Sequence, residues 1–400
     1  MRVTNKASDD PSVHRRKFDK QDKIRTILRP RVQNLAKKLF HCDIPLYYSM
    51  GWPDTGFGRQ LNALSNISLL NLHSLVDDTL SIREIARLNK PIVWTMHDMW
   101  AFCGFEHYLR LNASWESCNI AHRFEQGYTS KNRPCDESGL DLSKLTWRKK
   151  IKYLSNKKIT LVCPSQWMFD NASKSILAHN WEIHKIPYPI DTSKWSPQDK
   201  FLSRQILGLP RDKKLILFGA SGGSQNPRKG FDLLEDAANY LFELIRSKSN
   251  LDIEIVLFGE SKKDYQSKSR LPIHYLGQLR DDISLILAYS AVDLFALPSR
   301  QDNLPNTGIE AHACGTPVIG FNTTGIKDII DNRNTGILVP PFDVKKFAAE
   351  AALLLSSETM QANLSNAARK RAINLWAEDS IASQYTHLYS QILEEQQVSP

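Results

Sequence analysis

Two carboxylates in the second half of the chain, Asp302 and Glu310, have the surroundings expected of a ligand site. They lie in a polar segment, residues 298–317, that follows an apolar run typical of a strand. This segment predicts a loop holding Asp302 and then a helix that begins near Thr307, with Glu310 in its first turn. Carboxylates accept hydrogen bonds from hydroxyl groups, and a helix N-terminus offers unpaired backbone N–H groups to an anion. An isolated acidic pair would more often be a helix cap and a solvated glutamate, but the whole segment favours a pocket for a hydroxyl-rich, phosphate-bearing ligand.

A second segment, residues 217–231, could supply the positive charge that a diphosphate requires. It is rich in glycine and carries two adjacent cations, Arg228 and Lys229, before a helical pattern. Neither the spacing of a P-loop nor the Gly-x-Gly-x-x-Gly dinucleotide pattern occurs in it. Each charge-assisted hydrogen bond contributes about 1.5–3 kcal/mol, so two cations and a helix N-terminus could hold a diphosphate without a metal ion. The alternative interpretation is a solvated basic turn.

Alternating strand and helix patterns must position these two segments. A capping box at residues 81–84 and helical spacing over residues 231–245 and 377–395 predict helices between apolar runs. The runs are continuously hydrophobic, as in parallel strands covered on both faces. The alternation therefore predicts a doubly wound α/β architecture. The predicted strands are residues 68–73, 91–97, 159–165, 184–190, 215–220, 253–259, 273–277, 294–299, 317–322 and 335–340.

Prolines at positions 187, 189 and 197 mark the main boundary, because proline interrupts regular structure. We predict a first domain over residues 1–193, a second over 194–375 and a C-terminal helical segment over 376–400. The aromatic and cysteine-rich stretch at residues 98–150 has no clear pattern.

Length and composition exclude several classes of protein. The chain has 400 residues, of which 42% are hydrophobic and 24% charged, as in ordinary globular domains. It contains neither the roughly 18–20 apolar residues of a membrane span nor the apolar core of a signal peptide, so a cytoplasmic location is expected. The six cysteines lack regular spacing. Cys118, His122 and Cys135 form only an irregular zinc candidate, and reduced thiols are the preferred interpretation.

Most of the positive charge lies at the start of the chain. The net charge is +9, and residues 1–40 contain twelve Lys or Arg against four Asp, a balance of +8. This distribution argues against a nucleic-acid-binding surface over the whole protein. Residues 23–40 also place apolar residues at helical spacing among the cations. That pattern predicts either a peripheral contact with an anionic membrane or a packed helix with a solvated basic face.

Taken together, these segments resemble the retaining glycosyltransferases of family 4, and the resemblance extends over roughly residues 45–395. It implies a GT-B fold, in which two Rossmann-like doubly wound domains face each other across a cleft. The combination is similar to the polysaccharide-building branch, such as colanic-acid-type transferases. The segments that carry the resemblance are residues 226–230 (Asn-Pro-Arg-Lys-Gly), 274–279, 291–295 and 302–317, with 70–73, 93–100, 164–167 and 186–191 in the first half.

The resemblance implies a role for each residue at a matching position. Glu310 would hold the ribose hydroxyls of the nucleotide. Asp302 stands where the family has its first Glu and would face the hydroxyls of the donor sugar. Arg228 and Lys229 would neutralise the diphosphate.

Further roles are implied on either side of this centre. Backbone N–H groups near Asn306 and Thr307 would assist in binding the diphosphate, and Gly277 and Gln278 would lie near the base. His97 would reach across the cleft towards the donor sugar. A positioning histidine at the end of a strand is an equally compatible interpretation of His97.

The implied activity is transfer of a sugar, with retention at the anomeric carbon, from a nucleotide-sugar donor to a glycan or lipid-linked acceptor in polysaccharide biosynthesis. The resemblance implies no metal and no cofactor other than the donor substrate. The family's first βα unit, with its glycine-rich loop, is not recognisable, so the first domain is expected to be incomplete at its start. Two alternatives remain: an inactive homologue that serves as a binding partner, and a sugar-nucleotide epimerase or phosphorylase on the same fold.

Overall fold

The chain divides into two compact units. The first comprises Met1–Cys163, Met168–His184 and Tyr389–Pro400, and the second comprises Pro164–Trp167 and Lys185–Leu388. The domain limits predicted at residues 193 and 375 stay predictions. The computed structural model describes residues 2–4, 13–15, 28–32, 34–36, 38–42, 48–75, 79–109, 123–219, 226–248, 251–259 and 267–398.

The first half of the chain builds a parallel sheet with two small accessory pairs of strands. The strands are β1 (Arg2–Thr4), β2 (Val13–Arg15), β3 (Phe40–Cys42), β4 (Leu70–His73), β5 (Ile92–Thr95), β6 (Glu137–Gly139), β7 (Thr160–Cys163) and β8 (Glu182–Lys185). The four-stranded sheet has the order β4-β5-β7-β8, β1 pairs with β2 in parallel, and β3 pairs with β6 antiparallel.

Short helices connect these strands. The predicted capping box is confirmed: Ser81 accepts a hydrogen bond from the backbone N–H of Glu84, whose side chain accepts one from the backbone N–H of Ser81. The helices are α1 (Phe57–Asn62), α2 (Ile82–Ala86), α3 (Arg123–Gln126), α4 (Leu142–Leu154) and α5 (Gln166–Ser173), with a 3-10 turn at Trp100–Phe102.

The second unit contains a six-stranded parallel sheet with the order β11-β10-β9-β12-β13-β14. The first strand along the chain is therefore central: β10 and β11 extend the sheet to one side of it, and β12 to β14 extend it to the other. This is the strand order of a doubly wound Rossmann-type sheet, as predicted. The strands are β9 (Lys214–Gly219), β10 (Ile253–Phe258), β11 (Ile273–Gly277), β12 (Leu294–Leu297), β13 (Val318–Phe321) and β14 (Gly336–Val339).

Helices cover both faces of this sheet. The helices are α6 (Lys200–Leu207), α7 (Phe231–Lys248), α8 (Asp282–Ala291), α9 (Asn306–Ala313), α10 (Ile326–Ile329), α11 (Val344–Leu355), α12 (Glu358–Trp376) and α13 (Glu378–Val398). The helical patterns predicted over residues 231–245 and 377–395 are confirmed by α7 and α13, each with slightly different ends. Among the described residues, no helix combines the length and apolar character needed to cross a membrane.

Alternate residues of the same strand enter two separate cores. Leu215 and Leu217 of β9 pack into one core, and Ile216 and Phe218 pack into the other. Because both faces of the strand are buried, its sequence is continuously apolar rather than alternating. The hydrophobic runs therefore located the strands of this sheet well.

One strand prediction is largely wrong. The run at residues 184–190 was expected to be a strand, but β8 occupies Glu182–Lys185 and ends before the first of two prolines. Pro187 and Pro189 have no backbone N–H to donate to a neighbouring strand, so residues 186–189 lie outside any strand and Ile190 forms only an isolated bridge with Ala377.

Candidate functional site

The candidate residues of the second unit collect where the strand order of its sheet reverses. Strands β9 and β12 are neighbours, and the chain leaves their carboxyl ends towards opposite sides of the sheet. Ligands of open α/β sheets bind in the crevice that this reversal creates. After β9 and residues 220–225, which lie outside the described residues, a 3-10 turn at Pro227–Lys229 begins. After β12 comes the loop over residues 298–302, so both predicted segments reach this crevice.

Backbone contacts fix these two loops to each other. The backbone N–H of Arg300 donates to the carbonyl of Arg228 at 2.8 Å. Gly230 adopts a left-handed conformation with φ of 69°, and a Cβ atom there would lie 2.1 Å from the carbonyl oxygen of Pro298. Only glycine fits such an approach without a backbone shift. The loop that carries the cations is therefore held directly against the loop that carries the carboxylate.

Asp302 forms an ion cluster with both predicted cations. Its Oδ1 accepts a hydrogen bond from Arg228 at 3.0 Å, and its Oδ2 accepts one from Lys229 at 2.6 Å. Burial would by itself raise the pKa of Asp302, but the charges of Lys229 and Arg228 outweigh it and lower the pKa to about 2. Burial lowers the pKa of Lys229, a shift that the charge of Asp302 opposes. Two cations and one carboxylate leave the cluster with one net positive charge.

The backbone around Asp302 is also tied down. Its N–H donates to the hydroxyl of Thr324 at 3.0 Å, and its carbonyl accepts from the N–H of Gly325 at 2.9 Å. A Cβ atom on Gly325 would lie only 1.2 Å from the carbonyl oxygen of Asn303. The segment after β13 thus presses against the loop after β12 and holds the Asp302 carboxylate in place.

Helix α9 directs its N-terminus towards the same edge of the sheet. It begins at Asn306, one residue before the predicted start, so Glu310 lies in the second turn rather than the first. Pro305 precedes the helix, and no side chain caps it. The backbone N–H groups of Asn306 and Thr307 donate to no acceptor among the described residues. Unpaired N–H groups at a helix N-terminus can bind an anion, and the anion-binding role of these two residues stays a prediction.

Glu310 is partly buried against α8. Its Oε2 accepts a hydrogen bond of 2.8 Å from the hydroxyl of Tyr289, which is fully buried. Burial raises the pKa of Glu310 to about 7; the Tyr289 hydrogen bond opposes this rise, and the charge of Asp282 adds to it. The carboxylate is therefore poised between its neutral and charged forms near neutral pH. Sequence reasoning missed Tyr289, because the packing of two helices joins it to Glu310.

Gly277 and Gln278 lie further along the same edge of the sheet. Gly277 ends β11 with φ of 69°, and its carbonyl accepts a hydrogen bond from the N–H of Gly259 at 2.8 Å. The side chain of Gln278 donates to the carbonyl of Gly259. β11 stands two strands away from β9, or roughly 10 Å. A ligand that starts at the ion cluster would need that length to reach Gln278.

His97 belongs to the first unit, where it follows the carboxyl end of β5. Its Nε2 lies 3.1 Å from Nδ1 of His73, the last residue of β4. One ring must donate to the other, so the pair holds at most one extra proton without losing this hydrogen bond. Burial lowers the pKa of His97, and the charge of Asp98 opposes this shift. The structure thus gives His97 a histidine partner, His73, from the neighbouring strand.

Three further residues of the first unit form a chain of hydrogen bonds. Ser49 Oγ lies 2.8 Å from Nε2 of His107, and Nδ1 of His107 lies 2.8 Å from Asp98 Oδ2. This is the order of groups in a nucleophilic triad. However, Ser49 and His107 are buried, and the adjoining cavity has a volume of about 10 Å³, enough for about one water molecule. The chain of hydrogen bonds therefore orients the loop after β5 and does not attack a substrate.

The remaining sequence candidates do not form a metal site in the described part of the chain. Cys118 and His122 lie outside the described residues, and Cys135 is exposed. The described residues contain no group of three or more His, Cys, Asp or Glu side chains arranged to hold a metal ion.

The sequence of the second unit resembles a known protein family. Residues 199–371 match the family of glycosyl transferases group 1. This match covers the whole six-stranded sheet and every second-unit candidate named above.

Two curated relatives of this chain are glycosyltransferases with different names. The D-inositol 3-phosphate glycosyltransferase of Segniliparus rotundus is 28% identical over 187 residues, which make up 44% of this chain and 40% of that enzyme. The capsular polysaccharide biosynthesis glycosyltransferase CapM of Staphylococcus aureus is 26% identical over 162 residues, or 38% of this chain and 42% of that enzyme. The chain spans about two fifths of the length of these relatives.

Solved structures extend the likeness to nearly the whole chain. Anabaena HepE, solved in complex with UDP and glucose, superimposes with a TM-score of 0.58 over 95% of this chain and 86% of HepE, at 14% sequence identity. Identity this low shows the fold alone. The predicted fold class is confirmed: the chain has a GT-B fold built from Rossmann-like α/β domains.

Proposed function

We propose that this protein is a retaining glycosyltransferase of family 4. It transfers a sugar from a nucleotide-sugar donor to a glycan or lipid-linked acceptor. The family match of the second unit supports the transferase class. The resemblance of the sequence to the polysaccharide-building branch, together with the likeness to CapM, supports polysaccharide biosynthesis as the pathway.

The observation that carries this proposal is the constellation at the reversal point of the six-stranded sheet. Three features lie at one edge of this sheet. They are the ion cluster with its net positive charge, the N–H groups of α9 that have no acceptor among the described residues, and the partly buried Glu310. A nucleotide diphosphate offers matching chemistry, with a doubly charged pyrophosphate and a ribose whose hydroxyls donate to a carboxylate. HepE, which has the same fold, was solved with UDP.

The chemistry follows from charge development during the reaction. As the bond between the anomeric carbon and the diphosphate oxygen breaks, negative charge grows on the leaving oxygen and positive charge on the sugar ring. Arg228 and Lys229 stabilise the leaving diphosphate; both have N–H groups beyond those bonded to Asp302. The acceptor oxygen bonds to the anomeric carbon on the face that the diphosphate leaves, and the acceptor's proton passes to the departing diphosphate oxygen. Asp302 holds the two cations and faces the donor sugar.

In this proposal the protein supplies the positive charge that other transferases take from a divalent metal. The one net positive charge of the ion cluster and the partial charge of about +0.5 at a helix N-terminus offset most of the roughly two negative charges of a diphosphate. Turnover in the presence of EDTA should therefore equal turnover with added Mg²⁺ or Mn²⁺. Loss of turnover on chelation would contradict metal independence while leaving donor binding as a separate question.

Donor binding to a Glu310→Ala variant tests the proposed site. Calorimetry with a panel of nucleotide sugars should identify a donor for the wild-type chain, and the variant should bind that donor more than tenfold more weakly. Glu378→Ala, which removes an exposed carboxylate at the start of α13, is the matched control and should bind normally. Unchanged affinity of the Glu310 variant for every donor would refute its role.

A second pair of measurements separates diphosphate recognition from base recognition. Arg228→Gln and Lys229→Gln should each weaken binding of the nucleoside diphosphate by roughly 10–100-fold and leave binding of the nucleoside nearly unchanged. Donor binding without product, measured with acceptors present, would favour the inactive-homologue alternative. Product without acceptor would favour an epimerase or phosphorylase.

We further propose that the protein acts in the cytoplasm and contacts the inner face of the membrane through residues 1–40. The described residues 28–32 and 34–36 are helical, with Arg29 and Ala36 buried on one side. Four apolar residues nearby remain exposed, at 38–64%: Leu28, Val32, Leu35 and Leu39. An exposed apolar stripe beside many cations is typical of a helix lying on an anionic membrane surface.

A variant of the apolar stripe tests this contact. Leu28→Ser combined with Leu35→Ser should reduce binding to anionic vesicles, and hydrogen exchange in peptides covering residues 28–39 should no longer slow when vesicles are added. If vesicles leave exchange in this segment of the wild-type chain unchanged, the contact does not exist.

A further inference from the structure

The second unit carries an open cavity at the edge of its sheet opposite the candidate donor site. It has a volume of about 560 Å³ and lies at the amino ends of β9, β12 and β13, next to α6. The six residues of β9 separate the two edges by roughly 20 Å. The cavity therefore does not belong to the proposed donor site.

The lining of this cavity is rich in positive charge. Five cations line it, Lys200, Arg204, Arg211, Lys213 and Lys214, against three acids, Asp212, Asp293 and Glu358, which leaves a balance of +2. Some of these cations form ion pairs with carboxylates and others do not. Asp293 alone accepts an ion pair from Arg204 and another from Lys200, each at 2.9 Å.

Two of the cations have no acidic partner in the described part of the chain. Arg211 donates to the side-chain oxygen of Gln205 at 2.7 Å, a neutral acceptor, and Lys214 forms no ion pair with a described residue. Lys213 is shared between Asp212 and Asp252. Among the cavity's cations, Arg211 and Lys214 are therefore paired with no described carboxylate, and an external anion could reach them.

Helix α6 forms an apolar wall beside this charge. Its residues Phe201, Leu202 and Ile206 are 62%, 55% and 57% exposed, although each is a large hydrophobic side chain. They fall within one arc of about 140° on the helix, and the opposite side buries Ser203 and Arg204. Phe201 also lines the cavity itself. An apolar face and an under-neutralised basic cavity are therefore contiguous.

We propose that this surface docks on an anionic lipid bilayer, with a lipid phosphate in the cavity and the apolar face of α6 in the acyl boundary. Charge complementarity selects this occupant. A second copy of the chain would bring two positively charged cavities together, whereas an anionic membrane offers negative charge and apolar depth in the same plane. The surface belongs to the second unit and is independent of residues 1–40.

The decisive measurement reads out α6 directly. Vesicles of phosphatidylcholine mixed with phosphatidylglycerol should slow hydrogen exchange in peptides covering residues 200–207 of the full chain, and vesicles of phosphatidylcholine alone should not. Unchanged exchange of α6 with anionic vesicles would overturn the proposal, even if the chain sediments with them through another segment. The same protection by inorganic phosphate or glycerol 3-phosphate would mean a soluble-anion site and would also overturn it.

Two variants and a control separate the apolar and charged contributions. Phe201→Ser with Leu202→Ser should lower the partition coefficient on anionic vesicles about tenfold or more. Arg211→Gln with Lys214→Gln should lower it and flatten its dependence on salt. Leu353→Ser removes an equally exposed leucine from α11 and should change nothing.

Two further checks keep these variants interpretable. Each should retain wild-type circular dichroism and wild-type affinity for the donor nucleotide, because none of the substituted residues touches the donor site. If sedimentation equilibrium showed instead a dimer that the α6 variants dissociate, the surface would be an interface between copies and the lipid assignment would fail.

Discussion

At the scale of single residues, the central feature is the carboxylate of Glu310, whose pKa burial raises to about 7. The hydrogen bond from the buried hydroxyl of Tyr289 opposes this rise. A carboxylate that accepts hydrogen bonds from the ribose hydroxyls must be ionised to bind them well. Donor affinity of the wild-type chain should therefore rise with pH through about 7.

Replacing Tyr289, which donates the hydrogen bond to Glu310, should shift this dependence of donor affinity on pH. In Tyr289→Phe, loss of the hydroxyl leaves the carboxylate less stabilised, so the pKa of Glu310 rises further. We expect donor affinity to fall roughly fivefold at pH 7 and to recover at pH 9. Calorimetric titrations at both values measure this. An equal loss at both values would mean that Tyr289 acts only through packing.

Glu310 should also cost the protein stability. Its folded pKa of about 7 lies above the ordinary value of 4.5, so the native state retains a proton that the unfolded state has lost. The free energy of unfolding therefore falls as pH rises from 4.5 to 7. Glu310→Gln should be more stable than the wild type by about 3 kcal/mol at pH 8, with no gain below pH 4.5. Denaturant unfolding at pH 4 and pH 8 tests this, and an equal difference at both would contradict it.

At the scale of elements, the site depends on loops that close backbone contacts hold together, in addition to side-chain hydrogen bonds such as that of Thr324. The loop after β12 is gripped on one side by the turn that ends at Gly230 and on the other by the segment at Gly325. Close backbone approach leaves these loops little freedom. The ion cluster at Asp302 therefore has a fixed geometry before any ligand arrives.

A methyl group at Gly325 should break this arrangement. Because its Cβ would overlap the carbonyl of Asn303, Gly325→Ala should cost about 3 kcal/mol or more and sharply weaken donor binding. Gly208→Ala is the control: that glycine ends α6 with φ of 64° and has no atom within 4 Å of its Cβ position. It should cost only about 1 kcal/mol and leave binding intact. Equal effects of the two substitutions on binding would refute the role of the loop contact.

Most elements could be predicted from local pattern, and the exceptions have physical causes. The buried parallel strands of the second unit are continuous apolar runs, and nine of the ten predicted runs contain the observed strand or overlap most of it. The run at 184–190 misled because its apolar residues alternate with prolines. Residues 98–109 gave no periodic signal, because the described chain there forms short turns, and the buried Lys150 donates to the carbonyls of Cys103 and Gly104.

At the scale of the whole molecule, the distribution of charge is the main feature. Residues 1–40 hold +8 of the total of +9, so long-range attraction to an anionic surface comes mostly from this segment. The cavity beside α6 adds a smaller local excess on the second unit. The described cations Arg31 and Lys38 of the first segment and Arg211 of the cavity are exposed to solvent and therefore to screening by salt.

Binding to anionic vesicles should accordingly depend on ionic strength. The Debye length falls from about 10 Å at 0.1 M to about 3 Å at 1 M, so the partition coefficient should drop more than tenfold over that range. Donor affinity should change much less, since the ion cluster at Asp302 is mostly buried. Vesicle sedimentation and calorimetry in the same buffers check both statements, and insensitivity of vesicle binding to salt would contradict the electrostatic argument.

The sequence by itself determined the α/β alternation, the second-unit strands, the turn and loop that hold Arg228, Lys229 and Asp302, and the helix that holds Glu310. Each of these is a local pattern, because hydrophobic runs, caps and glycine turns are set by neighbouring residues. Only the tertiary structure decided that Asp302 binds both cations, that Tyr289 supports Glu310 and that Gly325 closes the loop. Those contacts join residues that are far apart in the chain, and no local spacing encodes which buried partner a charged side chain will meet.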